Sequence, residues 1–193
     1  MEKLNRNSLW SLEQYAERRP EFRAEVFAHK KPRRVAIGPN ATLCFEDALT
    51  MKYQVQEMLR TERIFEAAGI EEELAAYNPL IPDGSNWKAT FLIEYPDVEQ
   101  RRQALAGLGG VEHTVWVRVG DTDKVFALAN EDMERSTDGK AAAVHFLRFE
   151  LPAASKQAAK HGAAIEFGID HEGLRGAVTL AEPARESLVT DLD

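Results

Sequence analysis

Apolar positions recur at helical spacing near the start of the chain and at strand spacing over its second half. Ser11-Leu12-Glu13-Gln14 opens a helix, with the Ser11 hydroxyl as cap and Gln14 as its capping-box partner. Leu12, Tyr15 and Ala16 follow at helical spacing, and Arg19-Pro20 predicts a break, because the residue before proline avoids the α region. Pro20 then suits the first position of a second helix, with Phe22, Val26 and Phe27 on its apolar side and Pro32 at its end. Residues 34–38 and 42–45 read as a hairpin about Gly38-Pro39-Asn40-Ala41. A long helix is predicted from Glu46-Asp47 to Ala68 with Gly69 as its stop, followed by a short acidic helix over 71–77. The stretch 78–87, with two prolines, a glycine and two asparagines, is a loop.

Beyond residue 87 the pattern repeats. A strand (89–95), a helix after Pro96 stopped near Gly107, and strands over 112–119 and 124–129 form one unit. A strand (142–151), a helix after Pro152 stopped at Gly162, and strands over 163–169 and 177–181 form the next. Phe91-Leu92 matches Phe146-Leu147. The fold class is therefore α+β: residues 1–87 form a helical region with hairpin and long helix. Residues 88–193 form a tandem β-α-β-β duplication, building an antiparallel or mixed sheet with helices on one face. Residues 130–140 are the best linker between the units, and the tail after Glu182 is expected to fray. The duplication either makes the chain a pseudo-dimer or leaves a sheet edge open for a homodimer.

Composition narrows the function classes. A formal net charge of −8 over 193 residues argues against nucleic-acid binding, since phosphate contacts need a basic surface, and the basic run at 29–34 reads as a solvated turn. Cys44 is the single cysteine, so no intramolecular disulfide or multi-cysteine metal site forms; in its apolar run it reads as a small buried hydrophobe. Neither a signal peptide nor a membrane-spanning segment is visible, and a cytoplasmic location is expected. The five histidines show no metal-ligand spacing, and His113 and His145 read as core residues on apolar strand faces. Gly107-Leu108-Gly109-Gly110 lacks the marks of a phosphate loop, and no Gly-x-Ser-x-Gly elbow occurs.

Two places carry candidate chemistry. On a helical wheel Glu62 and Glu66 fall within the arc of Met51, Val55, Met58, Leu59 and Phe65, where unpaired carboxylates are costly. They call for arginine partners, such as Arg34, Arg63 or Arg148, or for a metal site completed by His145. The opposite face, with Tyr53, Gln56, Glu57, Arg60 and Arg63, reads as solvated. The second place is the loop: Asn78, Asp83, Ser85 and Asn86, with Arg60, are candidate ligand-binding residues and Trp87 an apolar wall. The other reading is that these side chains cap the loop's own backbone.

Tyr53-Gln54-Val55-Gln56-Glu57-Met58-Leu59-Arg60, Tyr77-Asn78-Pro79-Leu80-Ile81-Pro82-Asp83-Gly84-Ser85-Asn86 and Ala143-Val144-His145-Phe146-Leu147-Arg148-Phe149 resemble a bacterial family catalogued as domain of unknown function 3501. Arg19-Pro20-Glu21-Phe22-Arg23 and Ile37-Gly38-Pro39-Asn40-Ala41-Thr42 fit it too. The resemblance brings no established activity and no cofactor. It implies a setting beside rubrerythrin-like and iron–sulfur oxidoreductase-like proteins, and so an accessory or interaction role in a redox or peroxide-stress system. The competing expectation is a metal- or small-ligand-binding protein, or an enzyme, with a carboxylate site on the long helix.

Overall fold

The structure, a computed structural model, describes residues 2–131 and 139–193. The expected capping box is present: Ser11 accepts from the Gln14 backbone N–H at the start of α1, which spans Leu12–Lys30. The helix continues through Pro20, contrary to the expected break. Pro20 and Ala16 are both exposed, so the carbonyl that loses its partner there can bond to water. Strands β1 (Arg34–Ala36) and β2 (Ala41–Phe45) form the expected antiparallel hairpin. Asp47 then caps α2, Ala48–Glu62, in a reciprocal box with Thr50.

The long helix stops earlier than its apolar spacing predicts. Arg63 takes a left-handed conformation (φ 55°), and the Ile64 N–H bonds back to the Leu59 carbonyl at 2.9 Å. That closure usually carries glycine; here an apolar contact within the cluster of Leu59 and Ile64 accompanies it. A separate helix, α3, runs over Ala67–Tyr77. Gly69 lies inside α3, where a Cβ would meet Ile64 Cγ2 at 2.7 Å, so it permits close packing instead of ending a helix.

The two β-α-β-β units are both present, made of β3 (Asn86–Ile93), α4 (Val98–Ala106), β4 (Val115–Val119) and β5 (Val125–Phe126), then β7 (Val144–Glu150), α5 (Ala153–Lys160), β8 (Ile165–Ile169) and β9 (Gly176–Thr179). The strand expected over 124–129 divides at Ala127: β5 pairs with β4, whereas β6 (Leu128–Ala129) pairs with β7 in the other sheet. The result is two antiparallel sheets, β1-β2-β3-β7-β6 and β5-β4-β8-β9. The centre of one is β3 against β7 and of the other β4 against β8, so the duplicated units pair with each other. Aligning Pro96 with Pro152 superposes Thr90 on Phe146, and these two are directly opposite in the ladder. The Phe-Leu match is one residue out of this register; taken literally it would put Phe146 on the inner face with Phe91, whereas it lies on the outer face.

Period-two alternation buries Trp87, Ala89, Phe91 and Ile93 of β3 with Leu147 and Phe149 of β7, facing Val115, Val117 and Val119 of β4 and Ile165, Phe167 and Ile169 of β8. Phe167 is the keystone, its ring centroid 4.9 Å from Phe45, 5.3 Å from Phe149 and 5.9 Å from Trp87. The core thus lies between two sheets, and the one-faced sheet of the sequence expectation is corrected accordingly. The tail does not fray: α6 (Glu182–Val189) buries Leu188, whose carbonyl accepts from the Trp87 indole N–H at 2.8 Å. Arg33, fully buried, donates to the Phe45, Glu46 and Ser187 carbonyls and to both oxygens of Asp191, the shorter at 2.5 Å. Burial pushes the Asp191 carboxyl up to about 6 against the pull of Arg33. Asp47 meets the same guanidinium and His29. Burial would raise it too, but Arg33, the Thr50 N–H and His29 hold it below the ordinary value.

Helices α1 to α3 form two smaller clusters, Tyr15, Phe22, Val26 and Tyr53 in one and Val55, Leu59 and Leu74 in the other. The α2 face expected to be solvated is in part packed on α1: Tyr53 and Gln56 are buried, Gln56 bonded to the Trp10 backbone, and Glu57 accepts from Tyr15 and twice from Arg19, while Arg60 and Arg63 are exposed as expected.

Candidate functional site

The outer face of the five-stranded sheet follows from the same alternation. Asn86, Lys88, Thr90 and Leu92 of β3 lie opposite Glu150, Arg148, Phe146 and Val144 of β7. Glu46, buried at the start of α2, accepts from Thr90 at 2.8 Å and from Thr50 at 2.7 Å, which moors the helices on this face. At the other end of β3, α3 and a 3-10 turn over Asn78–Leu80 stand off the sheet. Between them is a groove of about 400 Å³, walled by Ala75, Ala76, Pro79, Leu80 and Phe146, with Lys88, Arg148 and Glu131 along one side.

The turn over the groove is pinned from several directions. The Asn78 side chain accepts from the Leu4 N–H at 2.8 Å and donates to the Leu4 carbonyl at 2.9 Å. Lys3 donates to the Asn78 and Ile81 carbonyls at 2.7 and 2.8 Å, and Lys88 donates to the Pro79 carbonyl. Asp83 accepts from the Ser85 N–H at 3.0 Å and from Asn86 Nδ2 at 2.9 Å. The Ser85 hydroxyl lies 2.7 Å from Asp83 and 2.6 Å from Glu150 and, with one proton, serves one carboxylate at a time. Asn86 Nδ2 also reaches Glu150 at 3.1 Å, and its buried Oδ1 has no partner among the described residues.

Electrostatics divides the two cations. Arg148 binds Glu131 through two nitrogens, at 2.7 and 2.8 Å, and Glu150 at 2.5 Å, so its charge is neutralised in place. Lys88 is half-buried and, among the described residues, forms no ion pair. Burial, with Lys3 nearby, draws its amine below the usual lysine range, against Asp83. Asp83 is held at about 2: burial opposes this, but the Ser85 and Asn86 hydrogen bonds prevail, helped by Lys88.

The candidate residues from the sequence therefore separate. Asp83, Ser85 and Asn86 meet in one network beside the groove, with Glu150; Asn78 is a brace for the N-terminal segment. Trp87 is not a wall of this site, because its side chain points into the core. Arg60 is exposed on α2. Glu62 is exposed at the end of α2, and Glu66 is exposed before α3 with no side-chain capping bond. Because the helix ends between them, one wheel does not describe both. Neither is buried, and Arg34 and Arg148 pair elsewhere, Arg34 with Glu94 at 3.0 Å. His145 is fully buried, 3.0 Å from Asn130 and 2.9 Å from the Ala142 carbonyl, as a core histidine should be. His113, in contrast, is exposed on a 3-10 turn. Among the described residues no group of three or more His, Cys, Asp or Glu side chains could hold a metal ion. Cys44 is half-buried on the outer face, where burial pushes its thiol up. Lys88, Phe146 and Arg148 were missed as site residues; their signal was strand parity, which sets them opposite the core positions Trp87, Leu147 and Phe149.

A family model described as a protein of unknown function (DUF3501) matches residues 3–192. The chain belongs to the DUF3501 family. A crystal structure of a novel protein of unknown function from Burkholderia pseudomallei K96243 shares 50% sequence identity, covers 100% of both chains and superposes with a TM-score of 0.94. A comparison with curated proteins gives no match. No helix among the described residues of this DUF3501 protein is long and apolar enough to cross a membrane.

Proposed function

We propose that this DUF3501 protein is a binding module whose working site is the groove between α3, the turn at Asn78–Leu80 and the outer face of β3 and β7. The supporting observation is that the turn is pinned by Lys3, Asn78 and Lys88 while a volume of about 400 Å³ stays open beneath it. A preformed concave site with an apolar wall and few polar groups is the usual form of a small-ligand pocket. Asp83, Ser85 and Asn86 act from the rim, by fixing Glu150 and through it Arg148. The experiment is amide chemical-shift mapping during titration with small aliphatic and aromatic probes. Shifts clustered on Ala75, Ala76, Leu80, Lys88 and Phe146 support the reading. Shifts spread over the surface, or none at millimolar probe, reject it.

The redox or peroxide-stress setting enters as the proposed context of that binding and rests on the family resemblance. Under it the chain acts as an accessory, since its lone thiol is held in the unreactive protonated form by burial. Recovery of a rubrerythrin-like or iron–sulfur oxidoreductase-like protein with the tagged chain supports the context. Its absence from repeated pull-downs removes the context and leaves the groove reading intact.

A further inference from the structure

The groove combines an apolar wall with one cation, Lys88, that among the described residues forms no ion pair and feels Asp83 and Glu131 only from beyond contact distance. Ala75, Ala76, Pro79, Leu80 and Phe146 provide the wall. Arg148 is occupied by Glu131 and Glu150, which in turn removes those two carboxylates as partners for Lys88. The Lys88 ammonium has three N–H donors and, among the described residues, one acceptor, the neutral carbonyl of Pro79. A half-buried charge satisfied by a carbonyl alone is under-compensated, and an anion at that point restores what burial removed.

We propose that the groove takes a small amphipathic monocarboxylate, its aliphatic body on Ala76, Leu80 and Phe146 and its carboxylate on Lys88. The proposal rests on the groove reading above and adds the ligand class. A volume of about 400 Å³ holds on the order of ten non-hydrogen atoms if each takes roughly the ~30 Å³ of a liquid water. One unpaired ammonium matches one negative charge. A phosphate dianion fits worse, because the only guanidinium of the groove among the described residues is already bidentate to Glu131 and the carbonyls of Asn78, Pro79 and Ile81 crowd the same corner. Those carbonyls also define the competing role for Lys88, which is to cap the end of α3 and its following turn without touching any ligand.

Calorimetric titration of the full chain with octanoate and with octan-1-ol separates these cases. Octanoate is expected to bind saturably; Lys88→Gln should weaken it by about tenfold or more, the scale of a lost bond to a charged group, and leave octanol unchanged. Lys88→Arg should restore octanoate in part. Ala76→Trp, at an exposed helical position that tolerates the substitution, should block both ligands. If octanol binds and is blocked by Ala76→Trp while octanoate gains nothing from Lys88, the ligand class is wrong and the groove stands. If neither ligand binds the wild-type chain, the monocarboxylate proposal falls. If Lys88→Gln also lowers the melting temperature in that case, Lys88 is a cap only.

Discussion

The outer face of the five-stranded sheet has two ends related by the pairing of β3 with β7, and they have diverged. About the central pair Thr90–Phe146, one step outward brings Lys88 opposite Arg148, and one step the other way brings Leu92 opposite Val144. The duplication makes these sites equivalent, Lys88 with Val144 and Arg148 with Leu92. One end carries two cations beneath a helix and a pinned turn; the other carries two aliphatic residues beside Pro39, Tyr95 and Arg101 of α4, with Val144 40% exposed and no residue of α1 to α3 lining it. The same backbone therefore supports a groove roofed by α3 and its following turn at one end and an open hollow without that roof at the other. The roof is built by α3 and the turn Asn78–Leu80, which lie outside the duplicated units. Function on this reading comes from the single-copy part acting on one half of a repeated scaffold.

Perturbing the scaffold should affect both ends and produce the largest effects. Trp87→Ala removes a fully buried ring and its bond to Leu188, and should cost about 3–5 kcal/mol in denaturant unfolding. Asp191→Ala takes from the buried Arg33 guanidinium its closer carboxylate, leaving Asp47 at 3.5 Å, and should cost about 3 kcal/mol. Asn78→Ala sharpens the comparison, because it cuts both bonds to Leu4 at the roofed end only. It should cost about 1–2 kcal/mol and speed amide exchange around residues 78–81 without altering exchange in β4 or β8. Val144→Lys, which places at the plain end the residue type of Lys88, should change stability by about 0.5 kcal/mol or less and leave probe binding unchanged, because no roof closes over it.

Acid sharpens a second contrast, between the helices and the sandwich. Glu57, bonded by Arg19 and Tyr15, has its carboxyl lowered to about 2, and Asp83 is also held at about 2. Both values lie below those of the free carboxyls, so each group stabilises the fold above its unfolded value and loses that contribution as pH falls from about 4 to about 2. Amide exchange at pH ~3 should therefore quicken in α1, α2 and the loop before it does in β4 and β8, whose inner-face contacts are apolar and whose cross-strand ion pair, Arg118–Glu166, lies on the outer face. Uniform acceleration would show that these carboxylates do not set the order.

The sequence carried the duplication, the hairpin, the capping box of Ser11, the start of the long helix at Asp47 and the core role of His145, because each rests on local periodicity or a cap within a few residues. It misplaced the end of the long helix, because Arg63 adopts a conformation that local signals assign to glycine. The Glu62–Glu66 pair lost its interest with that boundary. It also could not give the packing of Gln56 and Glu57 on α1, or the meeting of Ser85 with Glu150, since both are contacts between distant parts of the chain. Of the groove, the loop string was legible and the cations were not: nothing local distinguishes a half-buried lysine from a solvated one.

The central pairing of β3 with β7 also sets when the groove can exist. Thr90 cannot meet Phe146 until the whole of α4, β4, β5 and β6 has been looped out between them, a closure whose entropy is lost before any contact repays it. On a chain emerging from the N-terminus, the helices and the hairpin can assemble first, with Lys88 and its neighbours along an unfinished strand edge. The groove's second wall arrives only with residues 144–150. Ligand-dependent protection of the roof during refolding should accordingly appear in the last kinetic phase, together with burial of Phe149 and Leu147.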